Sequence, residues 1–243
     1  MGIVIFNNMS SKDYGILVEH PPGYQFPQKD YEVVHIPGRN GDLVIDNGSY
    51  QNVERQYEIA VGNMEEKFVT MANRVSEWLH SANGYARLED SYEPEYYRMA
   101  LYQEQGNIEN ILFHAGRTTI TFECKPQRFL KTGEEAITIE SRTILRNPTN
   151  FVALPKIKVY GTGDGAISIG AYRIGLTEID QYVVVDSTMF DTYTIDDVGK
   201  HINENSKLAL GENGYPKLLP GDISIGFTGG ISKLEVTPNW WTI

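Results

Sequence analysis

The chain has 243 residues, of which 22% are charged and 41% hydrophobic, and a formal net charge of −11. This is the composition of a folded chain with one large or two modest domains, not of a disordered one. The acid is shared, −7 over residues 1–130 and −4 over 131–243, which argues against tight nucleic-acid binding, where Lys and Arg neutralise phosphates, and against docking on an anionic membrane.

Ile3–Phe6 reads as a short apolar strand and Tyr14–Val18 as a second, stopped by His20-Pro21-Pro22-Gly23 because proline cannot donate to a ladder. Tyr31–Ile36 alternates only partly. Asn40-Gly41 then favours a two-residue type I′ hairpin leading into Leu43–Ile45. Val53–Val61 alternates cleanly, with Val53, Arg55, Tyr57, Ile59 and Val61 on one face and Glu54, Gln56 and Glu58 on the other.

One helix is predicted, over 64–82. Asn63 is placed to cap it, with Glu66 as the capping-box partner. Phe68, Ala72, Val75 and Leu79 form an apolar stripe that Met71 and Trp78 widen, and Asn83-Gly84 supplies a left-handed stop. A lone amphipathic helix among strands must bury its stripe on a sheet, so it is expected to cover the first β-domain.

Tyr85–Leu88, Tyr96–Tyr102, Ile108–Phe113 and Thr118–Cys124 continue the strands, with tyrosines set to pair across them. A polar stretch at 131–135 divides a first domain, 1–132, from a second, 133–243. The second alternates short strands (Ala136–Ile139, Lys156–Tyr160, Ala166–Ile169, Tyr182–Val185, Tyr193–Ile195, Ile223–Phe227 and Leu234–Val236) with Gly-rich turns, Gly161–Gly165 among them as a hairpin loop. That pattern predicts a β-sandwich. The fold class is therefore mainly β with one helix.

Chemistry-bearing residues are sparse. No apolar run approaches the roughly 20 residues of a membrane helix. The start has no basic segment or cleavage site, so no signal peptide is expected. The single cysteine, Cys124, excludes an internal disulfide and suits a reducing cytoplasm. It has neither a base nor an activating neighbour in sequence, so a structural thiol is expected.

His20, His35, His80, His114 and His201 are never closer than 15 residues, giving no local metal-ligand pair. Asp186, Asp196 and Asp197 lack the spacing of a calcium loop and read as turn residues. Gly161–Gly165 lacks the Lys-Ser/Thr of a phosphate loop, and no serine sits in a nucleophile elbow. Trp240-Trp241 could form a sugar-stacking platform, but consecutive strand residues face opposite ways, so one ring is expected in the core. No catalytic, cofactor or metal residue is assigned.

Ser11–Ile16, Ile36–Leu43, Gly84–Leu88, Phe122–Phe129, Asn147-Pro148-Thr149, Pro155–Gly161, Tyr215–Gly221, Ile225–Gly230 and Pro238–Ile243, in that order, resemble segments of the distal tail (Dit) proteins of long-tailed phages. The resemblance implies a structural virion protein at the distal end of the tail, assembled in the host cytoplasm, with no enzymatic activity and no cofactor. It implies a homohexamer whose first domain forms the ring, with a galectin-like β-sandwich as the second. The tail tube protein would lie on one face. The tail-associated lysin or fibre hub would lie on the other, with receptor-binding proteins in some members. DNA would pass through the ring without specific binding.

Arg39–Asp42 or the Pro21-Pro22 loop is expected to reach a neighbouring subunit or the tube, and an acidic bore would let DNA slip past. The rival readings are a lectin-like carbohydrate-binding module of a phage adhesion device, a glycan hydrolase, and another tail-ring component such as a tube protein.

Overall fold

In the computed structural model, residues 2–62, 66–103, 109–112 and 115–243 are described, 109–112 by backbone alone. The chain divides into two compact units, Met1–Arg128 with Ile243, and Phe129–Thr242. Both are mainly β, with a single α-helix among the described residues.

The strands of the first unit are β1 (Val4–Phe6), β2 (Met9–Ser10), β3 (Ile16–Val18), β4 (Lys29–Val34), β5 (Leu43–Tyr50), β6 (Val53–Gly62), β7 (Ala86–Asp90), β8 (Tyr96–Leu101), β9 (Glu109–Leu112) and β10 (Ala115–Cys124). All but β4 and β5 join one antiparallel sheet, in the order β2-β1-β7-β8-β10-β6-β3 with β9 beside β10. The alternation read in β6 is the packing observed. Val53, Arg55, Tyr57, Ile59 and Val61 are buried, and Glu54, Gln56 and Glu58 are exposed.

The helix α1 (Phe68–Leu79) covers this sheet with Val75, Trp78 and Leu79, which share a core with Val4, Phe6, Ile16 and Phe122. Its ends differ from the predicted 64–82. Lys67 is the extended residue before the first turn, with no side-chain cap bond, and the Glu66 carboxylate pairs with Arg74. Asn63 lies outside the described residues. The helix stops at His80, whose backbone is not left-handed, and Asn7 Nδ2 donates to the Ser81 carbonyl at 3.0 Å. That tie to the end of β1 draws the chain away before Asn83-Gly84 can act as the stop.

The second unit contains β11 (Arg128–Leu130, beginning at the boundary), β12 (Ile137–Ile139), β13 (Thr143–Asn147), β14 (Lys156–Ile169), β15 (Tyr172–Asp186), β16 (Asp191–Ile195), β17 (His201–Asn203), β18 (Leu208–Leu210), β19 (Gly221–Thr237) and β20 (Trp241–Thr242). The main path is β12-β19-β14-β15-β16-β17, with β13 on β19 and β18 on β15. Several expected short strands are halves of long ones. Gly161–Gly165 is not a hairpin loop but an irregular stretch inside β14, where the pairing with both β15 and β19 shifts. These bulges bend the strands, so that Ile157 and Val159 from one half of β14, and Ile167 and Ile169 from the other, pack into one apolar cluster.

The bend needs bare backbone. A Cβ on Gly230 would stand 1.8 Å from the Thr162 carbonyl oxygen, and one on Gly161 would stand 2.4 Å from the Gly230 oxygen. Gly230→Ala is expected to destabilise the chain by about 1–3 kcal/mol, the usual cost of overpacking, read as a lower melting temperature in calorimetry.

Candidate interaction surface

Between β3 and β6 the chain leaves the sheet and builds a two-stranded ribbon of its own, β4 against β5. The pairing runs from Lys29↔Tyr50 to Val34↔Leu43. The loop at its tip is longer than the two-residue I′ turn expected: Gly38 and Gly41 have positive φ and Asn40 does not, and His35 Nδ1 meets Asp42 Oδ1 at 2.9 Å across the loop mouth. Two more of the ribbon's acids are also held internally. Asp46 accepts from Lys29 and the Gly48 N–H, and Asp30 accepts from Asn47 and Ser49. The Gly48 N–H and Lys29 together keep the exposed Asp46 carboxyl below its usual range.

The ribbon has no covered face. Val33 and Val44 sit opposite each other and are 59% and 56% exposed. Tyr31 lies on the same face. Leu43 and Ile45 are exposed on the other. A lone hairpin is marginal in water and needs a partner surface, and clustered exposed apolar side chains mark such a surface. The partial alternation of residues 31–36 was the trace of this in the sequence, since a strand buried on neither face has no reason to alternate.

The residues weighed for chemistry lie apart from one another. Cys124 is fully buried, and burial pushes its thiol up to about 12, which makes it inert as a nucleophile. His20 and His35 are exposed beside Glu58 and Asp42, His80 is held by Ser76, and His201 stacks on Tyr193; His114 is outside the described residues. Among the described residues no group of three or more His, Cys, Asp or Glu could hold a metal ion. Asp186 accepts from the Thr188 and Met189 N–H groups, and Asp196 from those of Val198 and Lys200. Trp240 is buried in the second core, while Trp241 packs at a tilt against Phe151 and donates to the Val152 carbonyl. The two rings form no common platform.

Sequence reasoning missed one cluster. Arg55, on the buried face of β6, donates to Asp90 and Glu93 at 2.9 Å each. Glu93 also receives Arg98 at 3.2 Å and Arg128 at 2.6 Å, and the Tyr57 hydroxyl donates to Asp90 at 2.7 Å. Burial drives the Tyr57 hydroxyl well above its usual pKa. Burial would raise Asp90 too, but the bonds from Tyr57 and Arg55 outweigh it and leave its carboxyl below the usual range. The adjoining cavity is about 10 Å³, room for one water and no substrate. The cluster is therefore an internal brace. Its signal was the arginine on an otherwise apolar strand face.

Over 97% of its length the chain is similar to the Dit protein (gp 19.1) of phage SPP1, a paradigm of hub adsorption apparatus in phages infecting Gram-positive hosts, with a TM-score of 0.74, 14% identity and 98% of that chain covered. It is similar also to a chain of the phage p2 baseplate in its activated conformation, in structures with strontium and with calcium, each at a TM-score of 0.51, 10% identity and 97% coverage of both chains. No protein-family model and no curated protein matches. At these identities the likeness is one of fold, and the fold is Dit-like.

Proposed function

We propose that this chain is a structural, non-catalytic hub subunit of a phage tail tip, closing with its copies into a homohexameric ring. The tail tube protein sits on one face of that ring and the tail-associated lysin or fibre hub on the other, and receptor-binding proteins are a further class of partner. DNA passes through the bore unbound, repelled by the acid of the first unit. The protein is carried in the virion after assembly in the host cytoplasm.

The whole-length likeness to phage hub and baseplate chains supports the class of this reading. The observation that carries the assembly is the β4–β5 ribbon, which exposes Tyr31, Val33, Val44 and Ile45 to water. A closed ring needs a head-to-tail contact in which one patch meets a different patch of the next copy. A projecting apolar arm is one half of such a contact.

The experiment is the mass and appearance of the purified protein. Light scattering and negative-stain microscopy are expected to give six-fold rings for the natural chain. Val33→Glu with Val44→Glu is expected to abolish them while leaving the far-UV spectrum unchanged, since both side chains are already exposed. Arg39→Ala is expected to weaken the ring less. Unchanged ring mass in the double variant would remove the arm from the interface. A persistently single natural chain, or turnover of cell-wall glycan, would end the hub reading.

A further inference from the structure

The first-unit sheet has an edge that no strand of the described chain covers. β3 pairs only with Ile59–Val61 of β6, and the last bond on that side runs from the Glu19 N–H to the Glu58 carbonyl. Successive outward-pointing backbone groups on an antiparallel strand recur every second residue. Glu54 and Gln56 therefore present their N–H and C=O groups to the same open side as Glu58. β10 occupies the opposite side along all of Val53–Gly62.

The open side is screened by side chains, not by a strand. The Glu54 N–H is taken by the Gln25 side-chain oxygen at 2.6 Å. No partner for the Gln56 backbone is found among the described residues. The segment around Gln25 stands off from β6 and leaves two clefts, of about 360 and 190 Å³, both lined by Gln25 and Glu54. Phe26 beside the larger cleft is 80% exposed. A single amide oxygen in place of a ladder is how an edge is kept from pairing at random, and it can be displaced.

We propose that the Val53–Tyr57 edge of β6 is an acceptor for an added β-strand, guarded in the free chain by Gln25, and that the strand it accepts is the β4–β5 arm of the next copy. This rests on the ring reading above. Two observations select the arm as occupant. Both outer edges of the two-stranded ribbon lack a strand partner among the described residues. Its apolar side chains are uncovered on both faces. Main-chain bonds would supply the affinity and the flanking clefts the side-chain seats. Arm and edge are different patches, so the contact is head-to-tail and can close.

The test is Gln56→Pro in the full chain. Proline removes the N–H that the incoming strand must bond and takes no bond from the β6–β10 ladder, because Gln56 faces the open side. The variant is expected to keep its far-UV spectrum and lose at least tenfold in the concentration range over which rings persist, whereas Gln56→Ala assembles like the natural chain. Amide exchange followed by mass spectrometry should slow at least tenfold across residues 53–58 when the natural chain assembles. Gln25→Ala should speed exchange there in the dissociated chain. Intact rings in Gln56→Pro, or an equal loss in Gln56→Ala, would overturn the strand addition while leaving the ring standing. So would rings in which residues 53–58 exchange as fast as in the free chain, which decides the matter if the proline variant does not fold. A natural chain that never assembles would overturn the ring reading itself, and this proposal with it.

Discussion

Trp78→Ala is expected to cost about 3–5 kcal/mol, the range for deleting a large buried aromatic, and to give the largest loss of any single truncation in the first unit. Trp78 is fully buried. Its ring meets Phe6 edge-on at 6.4 Å and Phe122 at 6.2 Å, and its Nε1 donates to the Met9 carbonyl at 3.0 Å. Truncation therefore opens a cavity, removes aromatic contacts from two strands and takes a donor from the half-buried Met9 carbonyl. Trp78 is the penultimate residue of α1 and sits where the helix gives way to the chain that returns to β7, so the helix is expected to loosen with it. Urea unfolding followed by far-UV dichroism checks this. Trp78→Phe, which keeps most of the volume, is expected to lose less than half as much. An alanine variant within about 1 kcal/mol of the natural chain would mean that the helix is not the keystone of this core.

How much of the molecule was legible follows from which residues obey a single periodicity. β6 and the stripe of α1 could be read because each has one wet face and one dry face, and burial then imprints period 2 or 3.6 on the sequence. The helix ends could not, because the Glu66 carboxylate reaches Arg74 and the first turn starts only after Lys67, a choice made by tertiary packing. β14 and β19 were broken into halves for a related reason. Glycines at a bulge look like glycines at a turn, and only the approach of the Gly230 backbone to Thr162 tells them apart.

The interaction surface was the least legible part. Arg39 and Asp42 stood out in the sequence because they flank a turn signal. The folded chain puts Asp42 to work on His35 and shifts attention to Val33 and Val44, whose exposure no composition reveals. The acceptor edge depends on where β3 happens to stop, which is a property of the sheet and not of any residue in it. The Dit-like order of short segments across the chain conveyed the fold better than any individual motif conveyed a site.

Arg55→Met is expected to destabilise the first unit by about 3–5 kcal/mol, because breaking a buried ion pair leaves a charge without its partner. Glu93 keeps Arg98 and Arg128, so the stranded group is Asp90, left with the Tyr57 hydroxyl and the N–H groups of Tyr92 and Glu93. The effect should depend on pH in one direction. The Asp90 carboxyl is held below its unfolded value, so its contribution is fully present above about pH 4, the ordinary carboxylate range, and is lost as pH falls through the lowered folded value. In the natural chain, unfolding free energy should fall as acid is added below about pH 4. In Asp90→Asn that portion of the slope should be missing. The pair also separates bracing from mere burial. If the Arg55–Asp90 contact is what matters, Arg55→Met with Asp90→Leu should lose less than Arg55→Met alone, since two apolar side chains leave no charge stranded in the core. If instead the double variant loses the sum of the two single ones, the residues act independently and the brace is no more than two buried charges that happen to be neighbours.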